Sequence, residues 1–293
     1  MMVTHLGQLP AIAARAIIIN CRTRAVTTLA LMSALRHANM PVLLIDCEST
    51  DGSWPWFAAL AEKHDFDMLR LPLQPHGKTL DGIFRASRDD ALLLVDSDLE
   101  ILREDVVPAM RQALQAPNVY GAGFLHQGGD MSVHADIKAN VGRYMDRMWI
   151  PLCLLKVAAS RLAIEKGGTF MHSRDYLEFP WHMGLAKLLY ARHRLPWLKN
   201  ISLEAFADSR ERIHGERFLF REYDTGARLH QAMVKAGLDF TDLGEPYLSQ
   251  SLRHYHGVTR ATLIADQQNA TTPGAIADEV AARLLAEYAI ALG

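Results

Sequence analysis

The sequence predicts an α/β fold: a mostly parallel central sheet flanked by helices, with a helical C-terminal tail. Three observations carry this. Short apolar runs alternate with segments of helical spacing in the first part of the chain. Each of the strongest runs stops at a polar residue, Asn20, Asp46 or Asp96. From Pro273 to Leu292, apolar residues recur at helical spacing through Ile276, Val280, Leu284 and Leu285.

The elements follow in order. Ala16-Ile17-Ile18-Ile19 is β-branched and too short for a helix, so it reads as a buried strand. Residues 24–38 place Val26, Leu29, Leu31, Met32 and Leu35 at helical spacing. Val42-Leu43-Leu44-Ile45 is the next strand, residues 54–64 a helix, and Met68-Leu69-Arg70-Leu71 a third strand. Residues 78–87 read as a helix, and Ala91-Leu92-Leu93-Leu94-Val95 is the strongest strand in the chain. Further helices are expected at 105–116, 183–192 and 222–236, with a turn entering a strand at 167–171. Alternating strands and helices imply right-handed crossovers, which put the strand C-termini on one edge, and ligands bind outside that edge.

Composition narrows the function. The chain has 293 residues, 49% of them hydrophobic, enough for a substantial core. With 31 basic against 33 acidic residues, it lacks the basic excess of a general nucleic-acid binder. Cys21, Cys47 and Cys153 form no CxxC pair and read as small buried residues. The N-terminus does not resemble a secretory signal, and no apolar stretch has membrane-spanning length. A cytoplasmic protein is expected, with peripheral membrane contact and homo-oligomer formation left open.

Asp96-Ser97-Asp98 follows the strongest strand. Carboxylates one residue apart at a bend can both face the ligand edge and suit hard cations such as Mg²⁺ or Mn²⁺, which bridge to phosphate oxygens. The competing reading is a strand end followed by a helix cap. Ile45-Asp46-Cys47-Glu48-Ser49-Thr50-Asp51-Gly52-Ser53 follows the second strand, and Asn20-Cys21-Arg22-Thr23-Arg24 the first. Together these loops resemble the family 2 glycosyltransferases of GT-A fold, which carry a D-x-x-S-x-D-G segment and then a strand ending in DxD. The resemblance is clearest over residues 16–102. It implies a GT-A, Rossmann-like sheet and an NDP-sugar donor bound with Mn²⁺ or Mg²⁺. It also implies that Asn20, Arg22, Asp46 and Glu48 line the nucleoside pocket, that Ser97 lies beside the donor, and that Lys78 pairs with a phosphate, although Lys78 reads equally as a solvated surface lysine. Asp51-Gly52 reads equally as a turn opening a helix.

The same resemblance extends to the second half. Gly167-Gly168-Thr169-Phe170-Met171 resembles the family's turn near the donor sugar, with Gly168 allowing close backbone approach. Phe220-Arg221-Glu222-Tyr223-Asp224 stands where the family carries the acidic pair whose carboxylate deprotonates the acceptor hydroxyl. Glu222 is the favoured base, with Asp224 holding the loop or the acceptor. In Arg253-His254-Tyr255-His256-Gly257, His256 best resembles the late histidine that joins the DxD on the metal. His254 is expected to face the other way. Among the tryptophans, Trp149 and Trp181 are the better candidates for sugar stacking.

The expected organisation is a nucleotide-sugar half over 1–125, an acceptor-binding and catalytic half over 126–265, and the tail over 266–293. The expected function is metal-dependent transfer of a sugar from an NDP-sugar to a carbohydrate or other acceptor hydroxyl, inverting by resemblance. Two alternatives stand beside it. A sugar-phosphate nucleotidyltransferase usually opens with a glycine-rich loop, and the loop after the first strand here lacks glycine. A non-catalytic nucleotide-sugar-binding relative would tolerate the irregular Glu222/Asp224 site.

Overall fold

The computed structural model describes residues 1–130, 142–176, 220–255 and 274–292. Its centre is an eight-stranded sheet. β1 (Met2–Val3), β2 (Ala14–Asn20), β3 (Val42–Asp46), β4 (Asp67–Arg70) and β5 (Ala91–Val95) come first in sequence. They are joined through α1 (Arg24–His37), α2 (Ser53–Ala61) and α3 (His76–Ala86). After β5 come a short β6 (Leu99–Ile101), α4 (Val106–Ala113), β7 (Val119–His126), β8 (Gly129–Asp130), β9 (Gly142–Tyr144) and β10 (Arg147–Lys156). Then follow α5 (Val157–Glu165), β11 (Ser173–Tyr176), β12 (Phe220–Tyr223), α6 (Ala227–Lys235) and β13 (Asp239–Asp242). The described chain closes with α7 (Glu245–Ser251), β14 (Leu252–His254) and α8 (Gly274–Tyr288).

The sheet order is β1-β4-β3-β2-β5-β10-β7-β13. β10 is antiparallel to both neighbours, β5 and β7, and every other pairing in the sheet is parallel. The chain runs outward from β2 through β3 to β4, then returns to place β5 on the other side of β2. That reversal opens a crevice at the C-terminal ends of β2 and β5. Both faces are covered, which is why these strands are apolar at nearly every position. Ile18, Leu44, Leu93 and Val95 join a core with Leu31 of α1, Phe57 of α2 and Val107 of α4. Ile17, Leu43, Leu92 and Leu94 face the opposite way, toward Leu80 and Phe84 of α3, Ile164 of α5 and Leu229 of α6. The three cysteines are free and buried.

Two smaller sheets flank this one. β11-β12-β9-β8 forms one, and β14-β6 the other. Several expectations shift here. The helix expected over 222–236 occupies Ala227–Lys235, and Glu222 instead lies on β12. Glu222 stands directly opposite Arg174 of β11, so a cross-strand ion pair competes successfully with helix formation at this point. Gly226, at φ 85°, makes the left-handed turn between strand and helix. The turn at 167–171 does enter a strand, beginning at Ser173, but it follows α5, which the sequence pattern did not disclose. The helix expected at 183–192 lies outside the described residues.

Candidate active site

β5 ends at Val95, and the chain bends through Asp96-Ser97-Asp98 into β6. The bend is held by two backbone bonds: Asp96 N–H donates to Pro151 O of β10 at 3.0 Å, and Leu99 N–H to Asp96 O at 3.2 Å. β14 pairs antiparallel with β6, setting His254 opposite Leu99. That register brings the imidazole to the carboxylates, with His254 Nε2 3.2 Å from Asp98 Oδ1. One ligand atom from each of Asp96, Asp98 and His254 falls within 4.8 Å of the others.

The environment is charged and withdrawn from bulk water. Asp98 is 6% exposed. Burial raises the Asp96 pKa above the carboxylate range, and the Asp98 charge adds to that rise. His76, His254 and Arg147 pull it back down. Carboxylates crowded in this way bind a cation readily, because its charge offsets both their repulsion and their lost solvation. Oxygen donors with one imidazole fit Mn²⁺ or Mg²⁺ better than a soft metal.

The cluster lines a cavity of about 820 Å³ at the crevice between β2 and β5. Asp96, Ser97, Asp98 and His254 form one side of it, with Trp149 and Arg147 of β10 beside them. Trp149 meets His254 edge-on at 5.3 Å and Phe124 at 5.8 Å, which fixes the ring on the cavity wall. Pro75, His76 and Thr79 bring the start of α3 to the cavity wall as well. α3 is seated by Asp81, which is 5% exposed. Its carboxylate accepts from Thr169 Oγ1 at 2.5 Å and from Phe170 N–H at 2.8 Å.

Strand alternation decides which residues reach the cavity from β2 and β3. Ile19, Cys21 and Cys47 line it. Asn20 and Asp46, at 0% exposure, turn the other way. Asn20 Nδ2 donates to Asp46 Oδ1 at 2.8 Å and to Ser49 Oγ at 2.9 Å. Asn20 Oδ1 accepts from Thr23 Oγ1 and Thr27 Oγ1, and Asp46 Oδ2 accepts from Ser49 N–H at 3.1 Å. The pair thus ties together the loops after β2 and β3 from beneath.

Arg22, Glu48, Lys78 and Gly168 also do not line this cavity as described. Arg22 and Glu48 take left-handed conformations, φ 55° and 50°. Glu48 accepts from Leu73 N–H at 3.3 Å. Lys78 is exposed on α3, two residues past the cavity-lining His76. Gly168 serves packing between α5 and α6: a Cβ there would stand 2.9 Å from Ala163 O and 3.2 Å from Ala232 Cβ. Asp51 accepts from Ser53 N–H and Oγ, the turn opening α2.

The two acidic candidates of the second half have separate surroundings. Glu222, 3% exposed, is held by Arg174 Nε and His172 Nε2. Asp224 is half-exposed and pairs at 3.1 Å with Arg147, which lines the cavity; neither Asp224 nor Glu222 lines it. His126, also lining the cavity, has its pKa lowered by burial and by Arg147, against an opposing effect of Asp224.

His256, Trp181 and the rest of 256–273 and 177–219 lie outside the described residues. On sequence, His254 is expected to face away from the position of His256, yet among the described residues His254 is the histidine that meets Asp98. That expectation misread strand geometry, since residues two apart on an extended segment share a face. The signal that would have found it is the pairing of a short segment with the strand leaving the DxD.

No protein-family model matches the chain, and no curated protein matches it. Solved structures that the chain matches at low similarity include the mannosyltransferase PcManGT from Pyrobaculum calidifontis in complex with GDP-Man and Mn²⁺. It has 14% identity and a TM-score of 0.41, over 94% of this chain and 81% of that one. S. aureus TarS 1–349 is 13% identical with a TM-score of 0.38, over 54% of this chain, which thus spans only 50% of that one. The 4-diphosphocytidyl-2C-methyl-D-erythritol synthase of Anaerococcus prevotii is 12% identical with a TM-score of 0.37, over 53% and 74%. Among the described residues, no helix is long and apolar enough to cross a membrane.

Proposed function

We propose that this chain is a glycosyltransferase that moves a sugar from a nucleoside-diphosphate sugar to an acceptor hydroxyl with the help of Mn²⁺ or Mg²⁺. The observation that carries the reading is the convergence of Asp96, Asp98 and His254 on one wall of a cavity at the sheet's switch point. The resemblance of the loops after β2, β3 and β5 to those of family 2 GT-A enzymes supports it. Asp96, Asp98 and His254 would hold the cation, with His256 still a candidate beside them. The cation would supply positive charge to the diphosphate as it departs.

The chain's own groups supply the rest. Arg147, on the cavity wall, adds fixed positive charge near the same leaving group. Trp149 offers an apolar ring face to a sugar. Asp224, half-exposed and paired with the cavity-lining Arg147, is more open than Glu222 to take the acceptor's proton, because Glu222 is enclosed by Arg174 and His172. Inversion follows from the family resemblance.

The test is release of nucleoside diphosphate from UDP-, GDP- and TDP-sugars with Mn²⁺ present or chelated. Metal-dependent release from at least one donor is expected. Donor binding without release would make the protein a binder. Formation of an NDP-sugar from a sugar phosphate and a nucleoside triphosphate would make it a nucleotidyltransferase.

A further inference from the structure

The C-terminal helix reaches the cation cluster from outside the cavity. Val280 and Leu284 of α8 join Val26 and Leu29 of α1 and Tyr255 in a buried cluster. Glu279 and Arg283, one helical turn apart, meet Arg253 and Glu100, which stand opposite one another on β14 and β6. The Arg253–Glu279 contact, 3.3 Å and exposed at both ends, contributes little. The other contact is of a different kind. Glu100 is 1% exposed. Arg283 Nε lies 3.0 Å and 2.9 Å from its two oxygens, and Nη2 lies 2.5 Å from Oε1.

Glu100 is also joined to the cluster. The Tyr255 hydroxyl donates to Glu100 Oε2 at 3.4 Å, and Tyr255 N–H donates to Asp98 O at 2.8 Å. Asp98 precedes β6 and His254 ends β14, so the two proposed ligands ride on the strands that Glu100 and Tyr255 anchor. β6 and β14 form a sheet of their own, not joined to the central one. Leu99, Ile101 and Leu252 of this pair are buried in the main core, Ser33 Oγ of α1 accepts Ile101 N–H at 3.0 Å, and α8 braces the charged side at Glu100.

We infer that Arg283 is a positioning residue for the Asp96–Asp98–His254 cluster, acting through Glu100 and the β6–β14 pair; this rests on the cation reading above. Without the guanidinium, Glu100 is an uncompensated buried charge. Its carboxylate regains solvation only if β6 moves outward, and that motion carries Asp98 and His254 away from Asp96, whose N–H is bonded to Pro151 O of β10. The helical tail is thereby part of the site although none of its residues lines the cavity as described.

The experiment titrates the full chain with MnCl₂ alone and reads free Mn²⁺ by its paramagnetic resonance signal. Arg283→Met should weaken binding about 10–100-fold, the range for groups that orient metal ligands. Arg283→Lys should fall between Arg283→Met and the parent, since it keeps the charge and loses the fork. Glu100→Gln combined with Arg283→Met should recover much of the loss, because the stranded charge is gone. Arg36→Ala loosens the last turn of the helix, where Arg36 stacks on Tyr288 at 4.2 Å and pairs with Glu287 without touching Glu100, and should bind Mn²⁺ like the parent. Parent-like affinity in Arg283→Met, or in Arg283→Lys if the Met variant does not fold, overturns the inference. So does an equal loss in Arg36→Ala. A parent chain that binds no Mn²⁺, or an Asp98→Ala chain that binds it equally well, removes the cation reading itself.

Discussion

Replacing Gly77 with alanine separates two opposed effects within one helix. Gly77 lies in the first turn of α3, beside the cavity-lining His76. Glycine to alanine at a compatible position normally stabilises by about 0.4–1 kcal/mol through the unfolded chain's lost freedom. At Gly77, however, an added Cβ would stand 2.4 Å from Phe170 O, 2.6 Å from Phe170 C and 2.7 Å from Met171 Cα. All three are backbone atoms, and the segment cannot retreat freely because Phe170 N–H is bound to Asp81. Overpacking of this kind costs about 1–3 kcal/mol, and rigid backbone on the far side points to the upper end. The clash therefore wins, by roughly 1–2 kcal/mol net. At about 2–4 °C per kcal/mol for domains somewhat smaller than this, the melting temperature should fall by several degrees. Gly82, in the same helix, has nothing within 4 Å of its missing Cβ, so Gly82→Ala should raise the melting temperature instead. Thermal unfolding followed by circular dichroism reads both. A Gly77→Ala chain as stable as Gly82→Ala would refute the close approach of α3 to residues 170–171.

Further outcomes follow from the acidic pair and from a buried histidine. Asp224→Asn should lower sugar-transfer turnover by about 10²–10⁴-fold while nucleotide affinity holds, as for loss of a general base. Glu222→Gln should leave turnover less affected and lower the melting temperature, because it unbalances the buried Arg174 and His172 contacts; steady-state kinetics beside melting curves distinguish the two. His230 has its pKa lowered by burial, with Asp146 opposing, and its Nδ1 lies 2.6 Å from the Tyr120 hydroxyl. The unfolded chain takes up this proton first, near pH 6.5, so the stabilisation is complete above about that pH and is lost as pH falls toward the lower folded value. His230→Gln should flatten the acid side of the stability profile, measured by urea unfolding across pH.

The N-terminal half of the fold was legible because its strands are buried on both faces and read as unbroken apolar runs. Ala16–Ile19, Val42–Ile45 and Ala91–Val95 all lie within strands of the central sheet. The tail helix was visible through its helical period, with Val280 and Leu284 buried on one stripe. Less legible were elements whose existence depends on a distant partner. β6 and β14 are three residues each and mean nothing until they pair. Glu222 looked helical until Arg174 appeared opposite it on β11. At the site, Asp96-Ser97-Asp98 was read directly from the strand end, and the structure sets all three on the cavity wall. The polar residues ending β2 and β3 were aimed at the ligand, yet alternation gives the cavity Ile19, Cys21 and Cys47 and turns Asn20 and Asp46 beneath. Likewise α3 begins at His76, so His76 lines the cavity while Lys78 faces solvent. Polarity marks a loop as chemical, but which residue reaches the cavity depends on the phase of the element carrying it.

The proposed function requires a divalent cation joining the Asp96–Asp98–His254 cluster to a diphosphate. Calorimetric titration of the full chain with UDP, GDP and TDP, with Mn²⁺ present or chelated, tests this directly. At least one nucleotide should bind much more tightly with Mn²⁺, and Asp98→Ala and His254→Ala should each abolish that difference. Equal affinity with and without the metal, or a metal effect that survives both substitutions, would contradict it.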